Sequence, residues 1–255
     1  MTIETTTVFF DLDDTLFDHT LSVQLALRAL ADAFPLFGRV PIAHLAELHA
    51  TELEAQHLRV LAGELTLDEA RLARFAALSR ACGHHAEGSD GVPVDVARVA
   101  EHYRRAYLAD RRPVPGAVDL LRALRARSPA LRIGIITNNV LEEQLEKLHH
   151  LRMRDLVDVL VVSEEAGVAK PNPAIFHIAL DRAGCASPAQ AVMVGDAWAT
   201  DIVGARSAGL RAVWLNRGGR ACPQPGTCAE LASLAPTEEV VAQVLGTMSR
   251  PTSAP

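Results

Sequence analysis

The chain has 255 residues, of which 49% are hydrophobic and 22% charged, and its formal net charge is −6. This length and composition predict a globular protein with a sizeable core. The acidic balance and the lack of a basic stripe argue against a partner that is a nucleic acid polymer. No apolar stretch reaches the length of a membrane span, and the N-terminus lacks the pattern of a secretory signal, so we expect no membrane association.

The cysteines are scattered through a chain that is too large to depend on disulfides. They are Cys82, Cys185, Cys222 and Cys228. We therefore expect reduced thiols and a cytoplasmic location. The Pro/Gly loop between Cys222 and Cys228 supplies too few further ligands for structural zinc, which almost always has four. A monomer and a homodimer are both compatible with the sequence.

The first predicted strand ends in acids. The apolar residues 8–10 lead into Asp11, Asp13 and Asp14, and Thr15 follows. Ligands bind just beyond the carboxyl ends of parallel strands, so Asp11 is expected at the mouth of an active site. Carboxylates spaced i, i+2 repel each other when buried, and a divalent cation such as Mg²⁺ would compensate them. The alternative is that Asp13 and Asp14 simply form a polar turn.

The next segment is predicted to be wholly helical. The predicted helices are 21–34, 42–61, 67–81 and 94–108, with prolines and glycines between them. Thr66 and Glu69 have the spacing of a capping box. We therefore predict a helical cap domain at 19–110, inserted into a core formed by 1–18 and 111–246, with hinges near 17–20 and 109–113. Residues 247–255 form a short polar tail that we expect to be disordered.

Beyond residue 111 the pattern alternates. The predicted strands are 131–136, 157–162, 191–195 and 211–215, and the predicted helices are 117–127, 141–149, 173–183, 201–208 and 237–245. Alternating strands and helices imply a parallel sheet that has helices on both faces. The predicted fold class is α/β, a Rossmann-like, doubly wound parallel sheet core with an inserted all-helical cap.

Two further signals near predicted strand ends lie within this alternating region. Thr137 and Asn138 come after an apolar strand and before a helix, where a hydroxyl and free N–H groups suit an anion. They could equally be ordinary helix-capping residues. Lys170 precedes a proline, which keeps it extended, so its ammonium group could pair with Asp11 and a bound phosphate. The alternative is a solvated surface lysine.

The last signal is a pair of acids. Asp196 follows Gly195 at the end of a predicted strand, and Asp201 lies at the start of the next predicted helix. We interpret Gly195 as a residue that lets the backbone approach a ligand closely. The alternative is that Asp201 is only a first-turn acid that favours the helix N-terminus and that Asp196 is only a turn residue. Strand ends of a parallel sheet share one edge, so all these side chains are expected to converge.

At these residues the chain resembles the haloacid dehalogenase (HAD) superfamily. It is most similar to the subfamily I phosphatases, which carry a helical C1-type cap after the first motif. The motifs occur in order within about residues 8–218: Asp11-Leu12-Asp13-Asp14-Thr15, then Thr137, then Lys170-Pro171, then Gly195-Asp196 with Asp201. The opening motif looks most like that of the nucleotidase and sugar-phosphate phosphatase branch.

The resemblance implies a role for each motif. Asp11 would be the nucleophile that forms an aspartyl-phosphate, and Asp13 would protonate the leaving group and then activate water. Thr137 and Asn138 would hold the phosphoryl group, and Lys170 would neutralise the nucleophile. Mg²⁺ would bind the carboxylates of Asp11 and Asp196 and the backbone carbonyl of Asp13, with Asp201 as a supporting residue. The implied substrate is a small phosphorylated metabolite such as a nucleotide or a sugar phosphate.

Other functions are less compatible with the sequence. A phosphosugar mutase would use the same core residues and remains an alternative. The family's dehalogenases lack an acid at the position of Asp13, and its phosphonate hydrolases need a cap lysine, whereas residues 1–146 contain none. A non-catalytic phospho-acceptor module would not predict an insertion of ~90 residues. The candidate substrate contacts in the cap are His19, Gln24, Arg28, His49, His57 and Arg104, and the sequence does not select among them.

Overall fold

The computed structural model describes residues 4–83 and 94–246, so the predicted tail at 247–255 lies outside the described residues. The chain divides into two compact units, one made of Met1–Asp18 with Arg112–Pro255 and the other of His19–Arg111. We call the first the core unit and the second the helical unit. In the described residues, no helix has the length and hydropathy needed to cross a membrane.

The core unit is built on six parallel strands in the order β3-β2-β1-β4-β5-β6. The strands are β1 (Thr7–Phe10), β2 (Arg132–Thr137), β3 (Val159–Val162), β4 (Ala191–Gly195), β5 (Arg211–Leu215) and β6 (Ala229–Leu231). This is the strand order of a doubly wound sheet, and the predicted α/β fold is confirmed. The order reverses between β1 and β4, which is where such sheets bind ligands.

The described part of the helical unit is built from α-helices. They are α1 (His19–Ala33), α2 (Pro35–Gly38), α3 (Ile42–Leu61), α4 (Leu67–Ala81) and α5 (Val96–Ala109). The predicted capping box is present, since the Glu69 N–H donates to Thr66 Oγ1 (3.3 Å) and the Thr66 N–H donates to Glu69 Oε2 (2.8 Å). Leu27, Phe75 and Tyr103 belong to the apolar core of this unit.

The remaining helices lie in the core unit. They are α6 (Ala117–Arg127), α7 (Leu141–His150), α8 (Ser163–Ala166), α9 (Pro173–Ala183), α10 (Val203–Ser207) and α11 (Thr237–Leu245), with 3₁₀ turns at Arg154–Leu156 and Pro188–Gln190. Asn172 caps α9 as predicted, accepting from the Ala174 N–H (3.0 Å). The predicted helix 201–208 is wrong in its first turn, because a π-helix occupies Trp198–Ile202 and α10 begins after it.

The apolar core of the sheet explains why the strands form where they do. β1 and β4 are buried along their whole length, as expected for strands covered on both faces. Phe9 packs against Gly134 of the neighbouring strand, where a Cβ atom would lie 2.6 Å from the Phe9 ring. Phe176 of α9 and Trp214 of β5 belong to the same cluster. This packing fixes the carboxyl ends of β1, β2 and β4 side by side.

Candidate active site

Asp11 follows β1 directly and is held at the edge of the sheet. Its backbone N–H donates to the Val194 carbonyl (3.0 Å), which continues the pairing of β1 with β4. The Lys170 ammonium group donates to Asp11 Oδ1 (2.6 Å) and to Asp201 Oδ1 (2.7 Å). The side chain of Lys170 is only 2% exposed, so it is not a solvated surface lysine. Residues from three distant parts of the chain therefore meet in one buried ion-pair network.

Asp196 lies at the end of β4 and completes an acidic cluster. Carboxylate oxygens of Asp11, Asp196 and Asp201 all lie within 4.8 Å of one another. A Cβ atom on Gly195 would overlap the Asp201 carboxylate. The space that a Cβ atom of Gly195 would fill is taken by Asp201, which is a reason for a glycine here that the sequence did not indicate. Asp201 is fully buried and also accepts a hydrogen bond from the Ala197 N–H (3.0 Å).

The electrostatics of this cluster favour a bound cation. Burial raises the pKa of Asp11 well above its usual value; Lys170 opposes the shift and Asp201 adds to it. Burial, Asp201 and Asp14 raise the pKa of Asp196 to about 6. Burial lowers the pKa of Lys170, but Asp11 and Asp201 outweigh it and raise the pKa overall. One ammonium group faces three carboxylates, so hard oxygen ligands and uncompensated negative charge fit a divalent cation such as Mg²⁺.

Thr137 is the last residue of β2 and is buried. Its hydroxyl oxygen accepts a hydrogen bond from Gln144 Nε2 (3.1 Å), which leaves the hydroxyl hydrogen available to donate to an anion. The side chain of Asn138 binds the backbone of Lys170. That side chain donates from Nδ2 to the Lys170 carbonyl (2.9 Å) and accepts at Oδ1 from the Lys170 N–H (2.8 Å).

Sequence reasoning missed two residues of α7 that contact Asp13. Lys147 Nζ donates to Asp13 Oδ1 (2.7 Å) and Oδ2 (2.9 Å), and Gln144 Nε2 donates to Asp13 Oδ2 (3.1 Å). A lysine near the end of a helix is solvated by default. The signal that identifies Lys147 is its spacing, since Gln144, Leu148 and Leu151 recur at helical intervals on one buried stripe.

The candidates in the helical unit are not equivalent. His49 is 1% exposed, its ring lies 5.0 Å from that of Tyr103, and neither ring nitrogen has a hydrogen-bond partner among the described residues. His49 is therefore a core residue of this unit. His19 Nδ1 lies 3.1 Å from the Tyr107 hydroxyl. Gln24 and Arg28 are exposed, and His57 and Arg104 are half-buried.

Comparisons with known proteins agree with this geometry. A family profile for haloacid dehalogenase-like hydrolases matches residues 5–209. The chain is 33% identical to glyceraldehyde 3-phosphate phosphatase of Methanothermobacter thermautotrophicus over 82% of this chain and 84% of that protein. It is 39% identical to pyrimidine 5'-nucleotidase YjjG of Escherichia coli over 56% of this chain and 62% of that protein.

A solved structure has the same fold. The putative HAD-hydrolase YfnB of Bacillus subtilis, in a crystal structure bound to magnesium, superposes with a TM-score of 0.67 at 25% identity and covers 93% of this chain and 99% of that one. The chain belongs to the haloacid dehalogenase-like hydrolases. The expectation of an HAD phosphatase is thereby confirmed, because the relatives that it matches include enzymes named as phosphatases and a nucleotidase.

Proposed function

We propose that this phosphatase is Mg²⁺-dependent and hydrolyses a nucleotide or a sugar phosphate through an aspartyl-phosphate on Asp11. The observation that carries the proposal is the convergence of Asp11, Lys170, Asp196 and Asp201 in one cluster at the carboxyl ends of β1 and β4, in which Asp196 is half-buried and the others are buried. The substrate class is supported by the names of the relatives, which include a pyrimidine 5'-nucleotidase and a glyceraldehyde 3-phosphate phosphatase.

Phosphoryl transfer would begin at Asp11. Lys170 binds Oδ1 of this carboxylate, so we assign attack on phosphorus to Oδ2. The bond from Oδ2 to phosphorus forms as the bond from phosphorus to the leaving oxygen breaks. The Thr137 hydroxyl and the backbone N–H of Asn138 would donate to the non-bridging oxygens of the phosphoryl group. Lys170 would offset the charge that collects there.

Asp13 would move the protons. In the first step it would give a proton to the leaving alkoxide, and in the second it would take one from the water that attacks the aspartyl-phosphate. The second step releases inorganic phosphate and restores the carboxylate of Asp11. An acid at this position suits an alkoxide leaving group, whereas a halide leaves without a proton. The residues of the site therefore favour phosphate ester hydrolysis over dehalogenation.

The cation site would use the residues that the acidic cluster brings together. The carboxylates of Asp11 and Asp196 and the backbone carbonyl of Asp13 would hold Mg²⁺, and Asp201 would support the site through Lys170. Mg²⁺ is compatible with one or two protein carboxylates and further oxygen ligands. When bound, it supplies positive charge next to the phosphoryl oxygens.

The proposal is tested by phosphate release. The purified protein is assayed with p-nitrophenyl phosphate, nucleoside monophosphates and sugar phosphates, with Mg²⁺ or with EDTA. Asp11→Asn keeps the shape of the side chain and removes the nucleophile, and Asp181→Asn is a matched control on the exposed surface of α9. We expect Mg²⁺-dependent turnover that Asp11→Asn abolishes and Asp181→Asn retains. If the wild type releases no more phosphate than Asp11→Asn, the proposal is wrong.

Product analysis separates hydrolysis from group transfer within the substrate. Phosphorus NMR of a sugar phosphate reaction distinguishes free phosphate from an isomerised sugar phosphate, and only the second product would favour a mutase.

A cytoplasmic location and a monomeric or homodimeric state remain predictions. The cysteines are free, which is compatible with a reducing compartment. Size-exclusion chromatography with light scattering measures the oligomeric state directly.

A further inference from the structure

Lys147 and Gln144 lie one turn apart on the same face of α7, the helix that follows β2. Both side chains are buried, with Lys147 4% exposed and Gln144 fully buried. Lys147 Nζ contacts both oxygens of Asp13, and Gln144 adds a third hydrogen bond at Oδ2. Asn139 Nδ2 donates to the same oxygen at 3.4 Å. The Asp13 carboxylate is therefore held by a two-point ammonium contact and by two amides, and the charged contact is stronger than a neutral hydrogen bond.

Gln144 also connects Asp13 to the phosphate end of the site. Its Nε2 donates to Asp13 Oδ2 and to Thr137 Oγ1, each at 3.1 Å. Its Oε1 is buried and has no hydrogen-bond partner among the described residues. If the amide of Gln144 were rotated by half a turn, Oε1 would face the carboxylate of Asp13, and the two oxygens would repel each other. Asp13 therefore determines the orientation of the Gln144 amide. A buried carbonyl without a partner costs stability, and an apolar side chain of the same shape would avoid that cost.

Lys147 is fixed from a second side by the turn that carries Asp13. Its ammonium group lies 5.2 Å from the centre of the Phe17 ring, within the range of a cation–π contact. Phe17 forms an isolated bridge with Asp13. The ammonium therefore has a defined place relative to the whole turn, and it restricts the rotation of the Asp13 side chain.

We propose that Lys147 and Gln144 are positioning residues that hold the Asp13 carboxylate in place for proton transfer to the leaving group. This inference rests on the proposed function, in which Asp13 is the general acid. Both residues contact Asp13, and neither is assigned a contact with the phosphorus or with the leaving oxygen. Their effect on the reaction passes through Asp13, and Gln144 keeps that acid at a set distance from the hydroxyl of Thr137.

The leaving group separates this role from a merely structural one. p-Nitrophenolate departs without a proton, whereas the alkoxide of a nucleotide or sugar phosphate needs one. The measured quantity is kcat/KM, which reports the steps up to the first transfer and excludes the later hydrolysis of the intermediate. We expect Lys147→Met and Gln144→Met to lower kcat/KM for alkyl phosphates at least ~10-fold more than for p-nitrophenyl phosphate. Lys147→Arg keeps the charge and should restore part of the loss.

Stability is measured alongside by urea denaturation. Gln144→Met loses the two hydrogen bonds of Nε2, but it also removes the unpaired Oε1 and leaves Asp13 paired with Lys147. We therefore expect it to fold, and it allows the comparison of substrates if Lys147→Met does not fold. Equal losses for the aryl and alkyl substrates would overturn the positioning role. Wild-type protein that hydrolyses neither substrate would overturn the proposed function instead, so the two failures are distinguishable.

Discussion

Thr15 and Asp196 exchange two hydrogen bonds through one hydroxyl group. The backbone N–H of Asp196 donates to Thr15 Oγ1 (3.1 Å), and the Thr15 hydroxyl donates to Asp196 Oδ1 (3.3 Å). Thr15 is fully buried, so water does not compete for these bonds. The turn after β1 therefore orients the acid that follows β4. The side chain of Thr15, in the first motif, therefore orients Asp196, a proposed Mg²⁺ ligand in the last motif.

Replacing Thr15 tests whether this orientation matters for the cation. Thr15→Val keeps the shape of the side chain and removes the hydroxyl, and Thr15→Ser keeps the hydroxyl. Outer partners of metal ligands typically change affinity about 10–100-fold, so Thr15→Val should raise the Mg²⁺ concentration for half-maximal activity by roughly 10-fold or more. Thr15→Ser should stay close to the wild type. The check is a Mg²⁺ titration of phosphate release, and identical curves for the two variants would contradict the role of the hydroxyl.

Asn138 should be sensitive to the replacement of its amide nitrogen by oxygen. Its amide accepts from and donates to the backbone of Lys170, and in Asn138→Asp an oxygen would face the Lys170 carbonyl. Loss of this bond should cost roughly 1–3 kcal/mol and displace the ammonium group from Asp11. Asn172→Asp adds the same charge but should still cap α9, because the cap needs only a side-chain oxygen that accepts from the Ala174 N–H. We expect kcat/KM to fall at least ~10-fold for Asn138→Asp alone, and equal activity of the two variants would refute the role.

The convergence of the site was predictable because it follows from the backbone alone. Asp11 and Asp196 come directly after apolar strands, and the carboxyl ends of parallel strands share one edge whatever the side chains do. The strands β1 to β5 were predictable for a similar reason, since each is a short run that is mostly apolar and mostly buried. β6 was missed because it has only three residues, Ala229–Leu231, and no β-branched side chain.

The contacts of Asp13 could not be predicted in the same way. Which neighbour pairs with a carboxylate depends on how α7 is rotated against the sheet, and residue type alone points Lys147 towards solvent. The same limit applies to Gly195, whose missing Cβ makes room for Asp201. Both contacts arise where tertiary packing overrides the usual preference of a residue. Both concern side chains that contact the acids of the site.

The raised pKa of Asp196 predicts how the metal-free protein responds to pH. Its pKa is about 6 in the folded state and 3.8 without the fold, so the folded state binds the extra proton in between. Stability from this group is present at low pH and is lost as pH rises from about 4 to 7, by roughly 2 kcal/mol relative to Asp196→Asn. The measurement is urea denaturation of both proteins in EDTA. A difference in the free energy of unfolding between the two proteins that does not change with pH would contradict the shift. Added Mg²⁺ should restore the stability of the wild type most above pH 6.

The shift at His49 has the opposite sign and lies in the helical unit. Burial lowers the pKa of this histidine well below 6.5, and Arg74 and His19 lower it further. The unfolded chain therefore takes up the proton first, so stability present above pH 6.5 is lost as pH falls below it. His49→Leu removes the titrating group at similar volume. Between pH 7.5 and 5.5 the free energy of unfolding of the wild type should fall by roughly 1.4 kcal/mol more than that of His49→Leu. Parallel pH profiles in urea denaturation would show that His49 is protonated equally in both states.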